Sequence, residues 1–374
     1  MPYLRNLLKE SARLDVVNDV YLDDSLKSHV RGLRGSGVRI NKVKNDTKLP
    51  TNWNTFLRSD SNIMLLVEYL SEEVVSQMKD EGKAIGFTTG ERVRSASNQF
   101  SYDTLQPCNQ EEADTRMFLH ISDAVNTGHT TFLIRTNDTD VVVLAVSYAA
   151  KKHIAIYLSF GTGGSHRFLD ATDIGTKLGA EKCRALLLFH SYSGCDTTSF
   201  FKFKGKKRFW AAWDSFQELT PVLIKLTESM LEPSESDLKI LERYVALVYD
   251  KSTELSEINK VRQHLFASSL RAVDHIPPTQ AALKYHLKRS LLQARTWFKM
   301  DCKHIKTLDP ADYGWNKDKD NIWKPTWTDL PPIGKSRVFI KCLCKDCDNT
   351  RGRGCGCRNE NLPCYIGCAC KGMC

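Results

Sequence analysis

Cysteine is scarce over most of this chain. Only Cys108, Cys183, Cys195 and Cys302 precede residue 342 in a protein of 374 residues, so the body carries no disulfide framework and these four read as packed or idle thiols. Long apolar runs are missing as well. No stretch of about 18 apolar residues and no signal-peptide pattern is present, which predicts an intracellular, reducing setting with no membrane partner. The glycine run GTGG at 161–164 lacks the lysine and serine of a phosphate loop and reads as a turn after a strand. His120, His129, His166 and His190 have no ligand spacing among themselves and are expected to be structural. No internal repeat is seen.

What the body lacks in cysteine, the end supplies. Nine cysteines, Cys342, Cys344, Cys347, Cys355, Cys357, Cys364, Cys368, Cys370 and Cys374, fill the last 33 residues. An odd number leaves one thiol over from any closed set of disulfides. Three C-x-C pairs converge more readily on ions, and nine thiolates satisfy three tetrahedral Zn2+ ions if six bind one ion each and three bridge two. Metal is therefore favoured over disulfides or an unstructured tail. The order of these cysteines resembles the CXC module of tesmin/TSO1-type proteins, which implies a three-zinc cluster that binds DNA. Two features differ from that family: a single copy of the module, and Gly354 where its repeats place a tyrosine. With zinc bound the module is near neutral, so contact with DNA would rest on Arg351 and Arg353, reaching into a minor groove.

The chain as a whole carries a formal charge of +9 and is 41% hydrophobic, enough for a sizeable core with appendages. Its bases are clustered. Between Ser25 and Asn45 stand Lys27, Arg31, Arg34, Arg39, Lys42 and Lys44 with no acid, and five bases fall between Lys202 and Arg208. Such clusters suit a phosphate backbone, whose neutralisation releases counterions; a solvated surface is the competing explanation.

Periodicity predicts the order of elements. RLDVVNDVYLDDSLK reads as a strand ending in a carboxylate and followed by a basic helix or loop. NQEEADTRMFLHISDAV reads as a helix with acids in its first turn and Ala113, Met117, His120 and Ile121 on one face. Then come a strand (HTTFLIRT), an exit turn (NDTD), a packed helix (VVVLAVSYAA) and a second strand (HIAIYLSFG). Alternation of this kind implies parallel strands with helical crossovers and ligands at the strands' carboxyl ends. A further helix delivers Asp196. From about 233 to 299 the pattern is helical, with Leu283, Leu287 and Leu291 on one face and Lys284, Lys288 and Arg295 on a wet basic one. The tryptophan- and proline-rich stretch from about 300 to 338 reads as an extended linker.

The acids carry the chemistry. Asp19, Glu112, Asp114, Asp138, Asp140 and Asp196 all fall at strand exits, helix starts or helix ends. Gathered together, such carboxylates make a hard oxygen cage for Mg2+ or Mn2+, and two such ions can activate a water and hold a scissile phosphate. A lone D-x-D is more often a capped turn. The ordered set Glu112-Ala113-Asp114, Asp138-Thr139-Asp140 and Gly194-Cys195-Asp196 resembles the flap endonuclease and XPG-type branch of the PIN-like nucleases, strongest over 110–210. That resemblance implies metal-binding roles for these acids and for Asp19, phosphate contacts from Lys27, Arg31 and Arg34, and a basic, glycine-containing turn at FKFKGKKRFW in which Lys204, Lys206 and Lys207 meet nucleic acid. Phe203 stands where the family has a second glycine, and the family's first strand, with one more aspartate, has no counterpart before Asp15. The words EADT, DTDVVVL and GCDTTS, with a cysteine-rich end, also resemble a set of often multicopy animal proteins, which suggests a mobile-element origin.

The resulting expectation is an α/β protein: a PIN-like parallel sheet flanked by helices over 1–230, a helical extension over 231–300, a linker over 301–338 and a zinc module over 339–374. Its predicted function is a nuclear, nucleic-acid-binding protein, DNA above all, resembling a Mg2+- or Mn2+-dependent nuclease with about three structural Zn2+ ions. The alternative is a catalytically inactive DNA- or chromatin-binding protein.

Overall fold

A computed structural model describes the chain except residues 23, 28–39, 41, 80, 98–99, 270–272, 306–307, 329–340, 346–354, 361–363, 365–367 and 373–374. Two compact units share the sequence. The first comprises Met1–Cys183, Thr296–Asp309 and Asn316–Lys324, and the second Arg184–Arg295, Pro310–Trp315 and Pro325–Cys374. Among the described residues no helix is long and apolar enough to cross a membrane.

The first unit opens with helix α1 (Pro2–Lys9) and strand β1 (Arg13–Val16), passes the single turn α2 (Trp53–Phe56) and helix α3 (Asp60–Gln77), and reaches the hairpin β2 (Ala84–Thr89) and β3 (Arg92–Ser95). Thr89 pairs with Arg92, so Gly90 and Glu91 form a two-residue loop. Gly90 has φ +51, the left-handed conformation that such a turn asks of its first residue. β1 runs parallel to β2, and Ile85, Phe87, Val74, Met78 and Leu8 form the buried cluster beneath them.

Helix α4 (Ala113–Asn126), strand β4 (Thr131–Thr136), helix α5 (Thr139–Lys152) and strand β5 (Ala155–Phe160) follow as the alternation predicts, and β4 pairs parallel with β5. A short turn through the GTGG stretch then returns the chain as β6 (Arg167–Asp170), antiparallel to β5, before helices α6 (Ala171–Leu178) and α7 (Ala180–Ser193). The expected single parallel sheet is instead two three-stranded mixed sheets, ordered β1-β2-β3 and β4-β5-β6. Each gains an antiparallel edge because the connection into its last strand is too short for a crossover.

Helices α8 (Lys206–Asp214), α9 (Leu219–Glu228), α10 (Glu235–Tyr249), α11 (Ile258–Ser269) and α12 (Gln280–Phe298) come next. The second unit's core is aromatic: Phe189 stacks on Trp213 at 4.6 Å, and the Tyr244 hydroxyl donates to the Phe209 carbonyl at 2.9 Å. On α12, Leu283, Leu287 and Leu291 are buried as their spacing predicts. Arg295 corrects the expectation of a wet basic face. It is 1% exposed, its Nε donating to Leu226 O at 3.1 Å and its Nη1 to the Tyr313 hydroxyl at 2.8 Å.

One polar network is built into the first unit. Asp15 on β1 accepts from Arg13 Nε at 2.7 Å and meets His120 Nδ1 on α4 at 2.9 Å, while Arg13 Nη1 donates to Asp123 at 2.6 Å. Gly86 stands opposite Asp15 in the parallel register. A Cβ there would lie 2.7 Å from the Tyr102 ring and 2.9 Å from Asp15 Oδ1, so only glycine leaves room for the carboxylate. Burial acts to raise the Asp15 pKa, but the His120 hydrogen bond and charge together with Arg13 outweigh it and hold the carboxyl below its usual range. The stability this lends is present above the unfolded-state carboxylate value and is lost as the pH falls through the depressed one. Asp15→Ala, which leaves Arg13 with Asp123 alone and takes the carboxylate partner from the buried His120 Nδ1, is expected to cost about 3 kcal/mol in urea unfolding. Arg5→Ala, which breaks an exposed pair with Glu81 at 2.8 Å, is expected to cost less than about 1 kcal/mol.

Candidate metal centres

The first unit brings four of the predicted acids within electrostatic reach of one another. Asp19 leaves β1 and turns its Oδ1 to the backbone N–H of Ala113, 2.8 Å away, at the start of α4. Glu112 is the N-cap residue of that helix and makes no capping bond with its own side chain, so Asp19 fills the vacancy. A backbone bond from Val20 N to Glu111 O, 2.7 Å, holds the two segments side by side. Asp114 lies in the same first turn. Asp138 caps α5 by accepting from Asp140 N at 2.7 Å. The D-x-D is thus a capped turn as well as a pair of candidate ligands.

Charge dominates this cluster. Burial, then Glu112 and Asp138, push the Asp114 carboxyl up to about 7, with Asp19 adding to the effect and Lys27 opposing it. Glu112 is raised too, by burial and by Glu111 and Asp19 against the pull of Lys27. Lys27 Nζ sits 3.0 Å from Glu112 Oε1. Burial disfavours its ammonium, yet Glu112, Asp114 and Asp19 outweigh that and lift it above the usual lysine range. Its expected phosphate contact is therefore joined by a nearer role as internal counter-ion. Arg31 and Arg34 lie outside the described residues. The carboxylates are hard oxygen donors of the kind Mg2+ and Mn2+ take, but they are splayed. Among the described residues, only cysteines form groups of three or more ligand atoms within 4.8 Å of one another.

Asp196 is carried by the second unit, exposed in the turn after α7. The basic turn lies in the same unit. Lys206 Nζ donates to His190 O at 3.0 Å, to Ser193 Oγ at 3.1 Å and to Gly194 O, neutralising the carbonyl end of α7. Lys204 places its ammonium 4.8 Å from the centre of the Tyr249 ring, and Lys207 is exposed. Phe203, at the place where a glycine was expected, holds φ 61 and stacks on His275 at 4.4 Å. The glycine-like backbone is kept without the glycine.

The tail gathers sulfur. Cys342, Cys355, Cys357, Cys368 and Cys370 are buried against one another with Cys344 and Cys364 beside them; Cys347, Cys374, Arg351 and Arg353 lie outside the described residues. Two foursomes of sulfur atoms, Cys342–Cys355–Cys357–Cys364 and Cys342–Cys364–Cys368–Cys370, each fit within 4.8 Å. Cys342 and Cys364 belong to both. The Sγ separations of 3.5 Å (Cys342–Cys364), 3.7 Å (Cys355–Cys364) and 3.6 Å (Cys357–Cys368) far exceed a disulfide's length of about 2.05 Å. They match the edge of a tetrahedron with metal–sulfur bonds of about 2.3 Å, roughly 3.8 Å. Soft thiolate donors in this arrangement suit zinc. This is a cysteine cluster able to hold zinc.

Asp15 and Arg13 belong to no motif that marks them, although R-L-D-V alternates like a strand and its aspartate falls on a half-buried position. Comparison of the chain with protein-family models, with curated proteins and with solved structures finds no match. Two outcomes are expected from this geometry. Because Cys364 serves both foursomes, Cys364→Ser is expected to release more zinc per chain than Cys370→Ser, counted with a chromophoric chelator after unfolding. Because Asp114 is forced to share its site with like charge, its protonated form is favoured by the fold and that contribution is lost as the pH rises through about 7. Asp114→Asn is accordingly expected to raise stability at pH 8 by about 1–2 kcal/mol in metal-free buffer, and to leave it nearly unchanged at pH 4.

Proposed function

We propose that this chain is a nucleic-acid-binding protein whose first unit carries a divalent-cation site for phosphodiester hydrolysis, with Asp19, Glu112, Asp114, Asp138 and Asp140 as the ligands. The observation that supports it most is Asp114: a carboxyl pushed up to about 7 by burial and by acids from two neighbouring segments is what like-charged ligands show before a cation joins them. Mg2+ or Mn2+ bound there would supply Lewis-acid stabilisation and an activated water. The residues of the chain would do the rest. The α4 and α5 N-termini hold the ligand-bearing turns, and Lys27 is placed to balance charge as the phosphate arrives. The cysteine cluster, read as a CXC-like module of about three zinc ions, would tether the chain to DNA and favour a nuclear location.

A second reading, a DNA-binding protein without catalysis, is favoured by the Lys27–Glu112 pair. A resident ammonium 3.0 Å from a ligand oxygen supplies some of the positive charge that an ion would bring. A flap or single-stranded DNA substrate with Mn2+ separates the two. Cleavage is expected, with Asp140→Ala and Glu112→Ala each slowing it at least about a hundredfold while DNA retention at low salt persists. Retention with no cleavage by the unaltered chain would leave the binding protein.

A further inference from the structure

The second unit holds a cavity of about 470 Å³, a volume in the range of small-ligand sites, lined by none of the acids of the first unit. Several aromatic rings line it, among them Phe200, Tyr249, Tyr285 and Trp327. Two of those rings remain in water, Phe200 at 79% and Trp327 at 72% exposure, while the adjacent Phe201 is 6% exposed. Each exposed ring forgoes about 2 kcal/mol that burial would supply. Two of them lining one opening make a surface suited to stacking a flat partner.

The charge around the cavity is mainly positive. Lys202, Arg262 and Arg289 line it, against Asp274 as the single acid. Asp274 is engaged by Lys202 at 2.5 Å. The two arginines are 4% and 6% exposed. Arg262 donates to the Pro277 carbonyl, and Arg289 Nη1 donates to the carbonyls of Gly314 at 3.2 Å and Thr326 at 3.4 Å. The carbonyl oxygens that receive Arg289 orient its guanidinium without cancelling its charge, so the cavity keeps a positive bias. A flat apolar body with an anionic group attached fits both the walls and the bias. Lys204, set over the Tyr249 wall at 4.8 Å, continues the positive charge beyond the cavity. That continuation favours a ligand with repeated anionic groups over a single phosphorylated side chain.

We propose that this cavity receives an unpaired nucleobase of a single-stranded nucleic acid, stacked against Phe200 and Trp327, with its phosphates held by Lys202, Lys204 and the two arginines. Stacking of this type tolerates any base, and a duplex, whose bases are already stacked and paired, has none to offer. The inference rests on the reading of the chain as a nucleic-acid protein and is independent of whether the carboxylate site cuts.

The test uses the full chain and a fluorescent 12-nucleotide oligothymidylate, with the corresponding duplex alongside, at low salt. Trp327→Ala and Phe200→Ala are each expected to weaken binding of the single strand tenfold or more. Duplex binding should stay within twofold, and Leu231→Ala, at another exposed apolar residue that does not line the cavity (60% exposed), should change neither. Because both rings are exposed, the variants should melt as the parent does. Unchanged single-strand affinity in both variants, an equal loss for duplex, or no single-strand binding by the parent would each overturn the proposal. So would displacement of the oligonucleotide by a phosphotyrosine peptide but not by thymidine monophosphate. Manganese-dependent cleavage with normal binding by Trp327→Ala would sink the cavity inference and leave the nuclease reading. Loss of binding in that variant of a chain that never cuts would do the reverse.

Discussion

Carboxylates near the starts of two helices, splayed but within electrostatic reach, repel one another, and the groups around them answer that repulsion. Asp19 is fixed by the Ala113 N–H and Asp138 by the Asp140 N–H, so two of the acids are satisfied by exposed helix-end amides, where the macrodipole favours negative charge. Those amides do not suffice. Glu112 draws Lys27 to 3.0 Å, and Asp114, where Lys27 offsets only part of the burial and repulsion, answers by holding its proton to about pH 7. Hydrogen bond, ion pair and proton are three ways of meeting one excess of negative charge. A structural explanation accounts for Asp19 and Asp138, which cap helices and would be present in an inert protein. It accounts poorly for Asp114, which caps nothing and destabilises its surroundings.

Much of this arrangement was legible in the sequence. The run from Glu112 to Phe160 alternates between a 3.6-residue and a two-residue period, and α4, β4, α5 and β5 fall where those periods place them, with β4 parallel to β5. The region from 45 to 110 was not legible in the same way. The helix Asp60–Gln77 carries no sharp apolar stripe, and the β2–β3 hairpin announces itself mainly through Gly90, a signal that can equally mark a loop. Arg295 shows the deeper limit. Helical spacing set it apart from the leucine stripe, yet it is buried because carbonyls and a tyrosine hydroxyl from distant segments, Leu226 and Tyr313, receive its guanidinium. Periodicity reports which face is apolar; it does not report that a remote segment has closed over the polar face with acceptors of its own. Arg13 and Arg116 are hidden from pattern reading for the same reason: Arg13 is answered by two aspartates, and Arg116 by the Gly90 and Arg92 carbonyls of the β2–β3 turn.

Phe203 gives a similar lesson about local rules. A residue with a Cβ in the left-handed region costs roughly 1–2 kcal/mol, which is why a glycine was expected. Here the ring lies flat on His275, with 11° between the planes, and under the Lys202 ammonium at 5.4 Å, contacts worth a comparable amount. The turn keeps its shape and trades close backbone approach for an aromatic face. Lys206, anchored on the last carbonyls of α7, fixes the turn from below. A surface made in this way presents rings and a few cations rather than bare amides.

The same accounting governs what a divalent ion would meet in the first unit. It would enter a site where an ammonium already touches Glu112 and where Asp114 is half protonated near neutral pH. Binding must therefore release a proton and loosen Lys27, and each cost subtracts from the gain of bringing the carboxylates together. The proton's share vanishes once the pH is well above 7, whereas the lysine's persists, because its ammonium is held above the ordinary range by those very acids. Freed from Glu112, Lys27 would face the entering phosphate with its charge intact. On the proposed reading, the feature that would weaken the site for a bare ion would thus strengthen it for an ion arriving with a phosphodiester, since the displaced ammonium would regain an anionic partner only with the nucleic acid present.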